Sequence, residues 1–485
     1  MNKFASDLTK SAIIIGAGIT GLMIACELSK KGFQITVLEK QEFVGGLATS
    51  IPYQGYKIDI GPHYITLPKN SELTKEIFDL MGQENIIQLP HETFHSSYKT
   101  SFNGRLYSGY PTVYEVIFKS GPKFFFKSLW DFFIVKLRNP FGNQNFDNAK
   151  NYLIASYGKF LYEIWFEPYL SKKYPDSEPP INDVIGKFPP LTFSKIILSL
   201  SKGFKIENIQ KESSVKNDDF LICYFKDGMG ALAERLKGEI VLNGGIVRVG
   251  VNICSIEHDG LQKKVIFEKD KVESIVSADI IVYAIPLTAA IHWFEDIPKE
   301  INTELEIEKI THSIMIFLFI DAPKLYDSWV VIFYDKELSL ARVSQQNFLS
   351  EHVVPEGKTL LTVEIRATDN DPLWNAEESE ILKKVTHDLK KTKILTNEKL
   401  DGYKILKFRN LYSVYSRKAD KTKESIQKFI NTFKNEYALG TEADSGVLVA
   451  GKPEQELSKK VPFGGGIFFA LTKSKSLADV ISNKK

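Results

Sequence analysis

The stretch IIIGAGITGL, Ile13 to Leu22, constrains the folding of this chain more than any other. The apolar run Ser11 to Ile15 reads as a short buried strand. Gly16, Gly18 and Gly21 follow it in the spacing G-x-G-x-x-G, just before a helical stretch, Leu22 to Lys31. In that pattern the first glycine allows a tight turn, the second lets the backbone approach a pyrophosphate, and the third lets the helix pack close to the strand. Ile19 and Thr20 complete the turn beside a helix N-terminus, where free N–H groups and partial positive charge favour phosphate. A second apolar run, Gln34 to Leu38, ends in Glu39 and Lys40. A carboxylate there accepts hydrogen bonds from ribose hydroxyls and repels a 2′-phosphate, so NAD or FAD is expected rather than NADP.

The composition is compatible with such a domain and with more besides. The 485 residues, 43% hydrophobic and 25% charged, are enough for two or more ordinary domains of a globular protein. The net charge of +2 arises from 62 basic and 60 acidic residues, so no overall field draws the chain to nucleic acid, and no nucleic-acid partner is expected. Cys26, Cys223 and Cys254 lie far apart without CxxC spacing, which argues against a disulfide framework or a zinc site and fits a reducing cytoplasm. His91 and His95 have no supporting cysteine or carboxylate nearby, so no metal is expected. The opening MNKFASDLTK lacks the apolar core of a signal peptide, and no run reaches the ~18 apolar residues that span a bilayer. A cytoplasmic protein is expected.

The stretch FVGGLATSIPYQGYKIDIGPHYI, Phe43 to Ile65, separates the two dinucleotides. Gly45, Gly46 and Leu47 form a second flexible segment soon after Glu39, and Asp59-Ile60-Gly61-Pro62-His63 follows another short strand. The succession G-x-G-x-x-G, E, G-G-L, D-x-G-x-H resembles the flavoprotein superfamily that includes amine oxidases, protoporphyrinogen oxidases, phytoene desaturases and UDP-galactopyranose mutases. The likeness is nearest to the branch shared with the mutase-like proteins. It implies FAD and an α/β fold: a discontinuous FAD-binding Rossmann-type (glutathione-reductase-like) domain with a second, mixed α+β substrate domain.

Further stretches carry the resemblance along the chain. YGKFLYEIWFEPYLSKKYP, Tyr157 to Pro175, is similar to a helix of the protoporphyrinogen-oxidase-like and mutase-like branches, and YFKDGMGALAERL, Tyr224 to Leu236, to the segment that returns to the flavin domain. In LNGGIVRVGVNICSIE, Ile253 matches the apolar residue that lies against the adenine. SADIIVYAIPL, Ser277 to Leu287, matches the last strand before the chain leaves again. DSGVLVAGK, Asp444 to Lys452, and the turn and helix of VPFGGGIFFALTKSKSLADVI match the final strand and the helix that brings backbone N–H groups to the flavin pyrimidine edge. The implied organisation is 1–80, 218–290 and 435–485 for the FAD domain, with 81–217 and 291–434 for the substrate domain. The cofactor contacts implied are Gly16, Gly18, Ile19, Thr20, Gly21, Glu39, Lys40, Gly45, Gly46, Leu47, Gly61, Pro62, His63, Ile253, Gly451, Lys452, Gly465, Gly466 and Ile467.

Three residues are candidates for chemistry. The resemblance places His63 near the flavin ring, where an imidazole titrates close to neutral pH. Arg342, in LSLARVSQQNFLSE, matches an arginine that binds substrate diphosphate in mutase-like members; a planar fork suits an anionic oxygen pair, and a structural salt bridge to Glu364 or a neighbour is the competing reading. Tyr415, with Tyr412 in NLYSVYSRK, matches the aromatic residues that line the ring in amine oxidases, although a half-buried aromatic strand would look the same. Gly451-Lys452 stands where amine oxidases have Gly-Asp and mutases Gly-Arg, so Lys452 keeps the charge without the fork. The mutase pattern Y-T-G-x-I-D does not occur, and no lysine lies near Thr311-His312-Ser313, where amine oxidases often carry one.

The leading expectation is an FAD-dependent oxidoreductase that takes hydride from a small-molecule substrate, anionic or nucleotide-linked if Arg342 binds it. The alternative is a non-redox mutase-like flavoenzyme acting on a sugar nucleotide; a lipid-binding chaperone of the GDP dissociation inhibitor type ranks third. SGPKFFFKSLWDFFIVKLRNP, Ser120 to Pro140, mixes aromatic and basic residues. Peripheral membrane contact through 120–140 would explain it, but burial as a helix of the substrate domain is the simpler expectation.

Overall fold

A computed structural model describes residues 10–61, 63–109, 116–117, 120–138, 146, 148–174, 179, 181, 184, 188, 219–257, 262–295, 297–305, 310–413, 417–439 and 466–483. The strand Ser11–Ile15 lies at the centre of a five-stranded sheet in the order Ile246–Arg248, Gln34–Leu38, Ser11–Ile15, Ile280–Tyr283, Glu436–Ala438, and all four pairings are parallel. Both faces of the central strand are covered, which is why it reads as a continuous apolar run. Ala12 and Ile14 pack with Leu22, Ile24 and Leu28 of the helix Ile19–Lys30 and with the helices Gly230–Leu242 and Gly466–Asn483. Ile13 and Ile15 point the other way, into a core shared with Val265 and Phe267 of an antiparallel three-stranded sheet (Asn252–Glu257, Lys263–Lys269, Val272–Ala278). The helix Arg417–Ile430, within the stretch 291–434 expected to belong to the second unit, puts Ile426 and Ile430 into this same core.

The second large sheet has seven strands in the order Leu400–Ser413, Ile310–Ile320, Thr359–Ala367, Arg342–Gln345, Val330–Phe333, Tyr98–Phe102, Arg105–Ser108. Its pairings are antiparallel except for Val330–Phe333 with Tyr98–Phe102. Strand alternation divides its residues cleanly. Ile314, Ile316, Val343, Val363 and Ile365 face the helix Glu378–Lys391 and its Ile381, Val385 and Leu389. The opposite row is buried too and is divided: Ser313, Ser344, Thr362 and Glu364 make one part of it polar, and Met315, Phe317, Phe319 and Leu360 make another apolar, so this face is covered by something other than that helix. A hairpin, Ser50–Tyr53 with Tyr56–Asp59, meets it: Ile58 and Tyr56 share a cluster with Met315, Phe317 and Phe319.

Two local expectations shift. The first helix begins at Ile19 rather than Leu22, because Gly18 is extended (φ −65°, ψ 170°) and ends the turn, which leaves Thr20 and Gly21 inside the first helical turn. The stretch expected as one helix from Tyr157 is broken. The helix Ala149–Tyr157 stops at Gly158 (φ 91°), and after Lys159–Leu161 the chain widens into a π turn, Tyr162–Phe166, before the helix Glu167–Lys173. Pro168 has no N–H to give to the preceding turn, and a widened turn just upstream is one way a helix accommodates that loss.

The tightest packing lies where the first helix crosses the first turn. A Cβ built on Gly21 would stand 2.0 Å from the Gly16 carbonyl oxygen, whereas one on Gly238, in the helix Gly230–Leu242, meets nothing within 4 Å. Gly21→Ala is therefore expected to lower stability by roughly 1–3 kcal/mol or more, while Gly238→Ala raises it by about 0.4–1 kcal/mol. Thermal unfolding midpoints of the two variants, moving in opposite directions, check this packing.

Candidate functional site

The phosphate turn is built by backbone contacts between two glycine segments. Gly16 N–H donates to Leu38 O (2.8 Å), and Gly45 N–H donates to Ala17 O (2.7 Å), so Gly18 and Gly45 run side by side as an isolated parallel bridge. Gly45 has φ +105°, a conformation that side chains disfavour, and it directs Gly46 to within 3.4 Å, measured from its would-be Cβ, of the Gly18 Cα. In front of Gly18 the space is open: a Cβ there would meet no atom within 4 Å. Glu39 leaves the end of its strand with Oε2 accepting from Ala17 N–H (2.7 Å) and Oε1 from Gln41 N–H (2.9 Å). An ionised carboxylate has about four acceptor positions, so two remain for a diol.

These features fit FAD. The open ground before Gly18 and the first-turn N–H groups of the helix at Ile19 would hold the pyrophosphate, and the spare lone pairs of Glu39 would take the ribose hydroxyls. Thr20 and Gly21 are buried in that first turn, Leu47 is half-buried in the short turn Gly46–Ala48, and Lys40 is exposed beside Glu39. Ile253 is half-buried, opposite Phe267, at a register irregularity of its strand. Gly466 begins the last helix and Ile467 follows it, half-buried; that helix packs along Ile19–Lys30, with Ser474 Oγ donating to Thr20 O (3.1 Å). Pro62, Tyr415, Gly451, Lys452, Gly464 and Gly465 lie outside the described residues, as does the expected strand Asp444 to Lys452.

At the other end of the motif the hairpin strand Tyr56–Asp59 delivers Gly61 and His63 to a narrow cleft. Its lining includes Asp59, Gly61, His63, Trp329, Ser344 and Gln346. His63 is half-buried and folds back so that its Nε2 lies 3.2 Å from the position a Gly61 Cβ would occupy. The D-x-G-x-H corner thus meets the polar part of the seven-stranded sheet, at Ser344 and Thr362, in this cleft.

Arg342 reaches the same sheet but is engaged. Its guanidinium pairs with the buried Glu364 carboxylate, directly opposite in register, and Arg366 Nε stands 3.7 Å from the other Glu364 oxygen. The salt-bridge reading of Arg342 therefore describes its contact in this structure. Arg342 and Arg366 thus converge on one buried carboxylate.

The residues that organise the cleft most strongly had no assigned role in the sequence. Asp59 is buried and accepts from Ser50 Oγ (2.5 Å), Tyr224 OH (2.6 Å) and Met229 N–H (3.3 Å). Its own N–H donates to Gln346 Oε1 (3.0 Å), and Gln346 Nε2 donates to Tyr224 OH (3.1 Å) and Lys57 O (2.8 Å). Ser50 Oγ also accepts from Gly230 N–H (2.8 Å), at the start of the helix Gly230–Leu242. Burial pushes the Asp59 carboxyl up to about 6 against the three donors, which favour its charged form; burial and the neighbouring Asp59 push the Tyr224 phenol up as well. The D of D-x-G-x-H was the available signal for Asp59. Gln346 and Ser344 sit in the stretch that drew attention to Arg342. Among the described residues no cluster of histidine, cysteine and carboxylate side chains could hold a metal ion.

A parallel α/β sheet with this glycine turn, its acidic strand end and a second sheet closing on the D-x-G-x-H corner defines an FAD-binding α/β domain joined to a second domain. A family model described as "Flavin containing amine oxidoreductase" matches residues 19–451. The chain belongs to that family, and FAD is its cofactor. Phytoene desaturase of Fusarium fujikuroi is 43% identical over 77 residues, a match spanning 16% of this chain and only 13% of that protein. In fold the chain is similar to reduced UDP-galactopyranose mutase (TM-score 0.74, 15% identity, 98% of this chain and 96% of the other). It is also similar to a putative protoporphyrinogen oxidase from Exiguobacterium sp. 255-15 (TM-score 0.67, 17% identity, 98% and 99% covered).

Two outcomes test the site. Glu39→Ala removes the acceptor of two backbone N–H groups and the ribose acceptor together, so FAD affinity falls about tenfold to hundredfold, as read by flavin titration. Asp59 has a folded-state value near 6, above its ordinary 3.8, so its contribution is fully present below about 4 and is lost as pH rises through 6. That loss is on the order of 3 kcal/mol. Subtracting the stability–pH curve of Asp59→Asn from that of the native chain should leave a fall between pH 4 and 6; a flat difference would show that the carboxyl titrates normally.

Proposed function

We propose that this chain is an FAD-dependent oxidoreductase that takes hydride from a small-molecule substrate at the cleft between the D-x-G-x-H corner and the Ser344 and Thr362 positions of the seven-stranded sheet. When bound, FAD supplies the hydride acceptor at N5, so the protein's task is chiefly to bind, orient and exclude water. The observation that carries this reading is the meeting of Gly61 and His63 with Ser344, Gln346 and Trp329 in one cleft. Asp59 and Gln346 hold that corner against the second sheet through buried hydrogen bonds. His63 brings an imidazole to that lining, a group suited to proton transfer. Ser344 and Thr362 offer hydroxyls for orienting a polar substrate atom. The convergence of Arg342 and Arg366 on this sheet supports an anionic or nucleotide-linked substrate, and the local match to phytoene desaturase supports a C–C bond among the candidate donors alongside C–N and C–O.

A second reading, non-redox chemistry on a sugar nucleotide, is favoured by the likeness in fold to UDP-galactopyranose mutase and by the Arg342–Glu364–Arg366 cluster. The missing Y-T-G-x-I-D segment counts against it. The third, a lipid-binding chaperone without flavin catalysis, is disfavoured by the complete phosphate turn and Glu39.

Anaerobic titration distinguishes them. Under the oxidoreductase reading, a substrate among candidate amines, alcohols, alkenes and sugar nucleotides bleaches the visible flavin absorption in stoichiometric amount. Turnover of a sugar nucleotide only after prior reduction, with no bleaching by any candidate, selects the second reading. A colourless protein that refuses added FAD selects the third.

A further inference from the structure

The helix Pro122–Arg138 is oriented opposite to the buried segment expected from its composition. Its outward side carries Phe126, Trp130 and Leu137, each about two-thirds exposed (66%, 67% and 65%), and Leu129, 36% exposed. At about 100° per residue these four fall within roughly a third of the helix circumference. The inward side holds Ser128 and Phe132, each 1% exposed. Lys123 and Lys127 are exposed along one border of the apolar strip. Asp131, the helix's one acidic residue, is turned away from the strip and accepts from Phe160 N–H (2.7 Å). The outer surface is therefore aromatic and aliphatic, edged with positive charge and lacking negative charge.

From this we infer that the helix Pro122–Arg138 docks the protein on an anionic lipid bilayer, with Phe126, Trp130 and Leu137 in the interface and Lys123 and Lys127 at the headgroup phosphates. Charge complementarity selects lipid: a strip of large apolar side chains bordered by lysines matches an acyl surface beneath anionic headgroups, and an indole is well suited to that boundary. Among the described residues no helix is long and apolar enough to cross a membrane, so this mode lies on the surface. The inference stands apart from the proposed chemistry, because it rests on the outer helix and not on the cleft.

Flotation of the FAD-loaded protein with vesicles tests it, using phosphatidylcholine alone and phosphatidylcholine mixed equally with phosphatidylglycerol. The native chain is expected to float with the mixed vesicles and much less with the neutral ones. Phe126→Glu combined with Trp130→Glu should weaken that binding at least about tenfold, with the flavin spectrum unchanged. Lys123→Glu with Lys127→Glu provides an independent variant, expected to lose the preference for anionic vesicles. Equal flotation of native and variant proteins overturns the inference. So does failure to bind either vesicle, and a concentration-dependent dimer abolished by Phe126→Glu with Trp130→Glu would then assign the strip to a second copy of this chain. Flavin reduction by substrate is measured without vesicles, so failure of the redox reading shows separately.

Discussion

A carboxylate removed from water must either give up its charge or be surrounded by donors, and Asp59 sits where both pressures act. Ser50, Tyr224 and the Met229 N–H supply donors, while burial favours the neutral form. Each partner belongs to a different element: Ser50 to the facing strand of the hairpin, Tyr224 to the strand Phe220–Phe225, and Met229 to the N-terminus of the helix Gly230–Leu242. Gln346, in the turn that directly follows the sheet strand Arg342–Gln345, accepts from the Asp59 N–H and donates to Tyr224. Four elements are thereby fixed around one residue, and Gly61 and His63 follow it closely in the chain. The position of the cleft is a consequence of this knot. Loosening it would move His63 relative to Ser344 without altering either side chain.

The same arrangement explains why the fold was more legible than the site. Strand Ser11–Ile15, its glycine turn and the strand ending at Glu39 are local patterns, and their spacing carries the geometry directly. The turn's architecture was readable because Gly16, Gly18 and Gly21 are close in sequence. Asp59 meets Tyr224 across 165 positions and Gln346 across 287, and no short-range pattern marks such a pairing. Glu364 was one of the partners open to Arg342 in the sequence, and strand register is what puts the two opposite one another. Tyr415, Lys452 and Gly465 lie outside the described residues, so the flavin-ring end of the expected site is represented by Gly466, Ile467 and the corner at His63.

The outer helix shows a different limit. Phe124, Phe125, Phe126, Trp130, Phe132 and Leu137 surround most of the helix axis, so composition alone cannot say which arc faces the core. Burial seemed simpler because a clean polar face was lacking. The structure resolves the ambiguity through Asp131, whose carboxylate accepts from Phe160 N–H, and through Phe132, which enters a core with Tyr152, Leu153 and Trp165. Once those two residues face inward, the 3.6-residue period obliges Phe126, Trp130 and Leu137 to face outward. Their exposure follows from how the inward side is satisfied.

Electrostatics link the two sheets to the proposed chemistry. Arg342 and Arg366 flank Glu364 on a strand surface whose neighbouring row includes Ser344 and Thr362. The Glu364 carboxylate holds the two guanidinium groups in place, so under the proposed reading an anionic substrate would meet positioned arginines beside the cleft. A neutral substrate would gain nothing from that charge and would depend on the apolar parts of the lining, Trp329 and Leu349. Arg342 and Glu364 pair at the strand positions next to Ser344 and Thr362, which line the cleft. The buried Asp59 knot holds the corner that carries Gly61 and His63. The charge cluster and the knot are thus built from separate groups, so a change in one need not disturb the other.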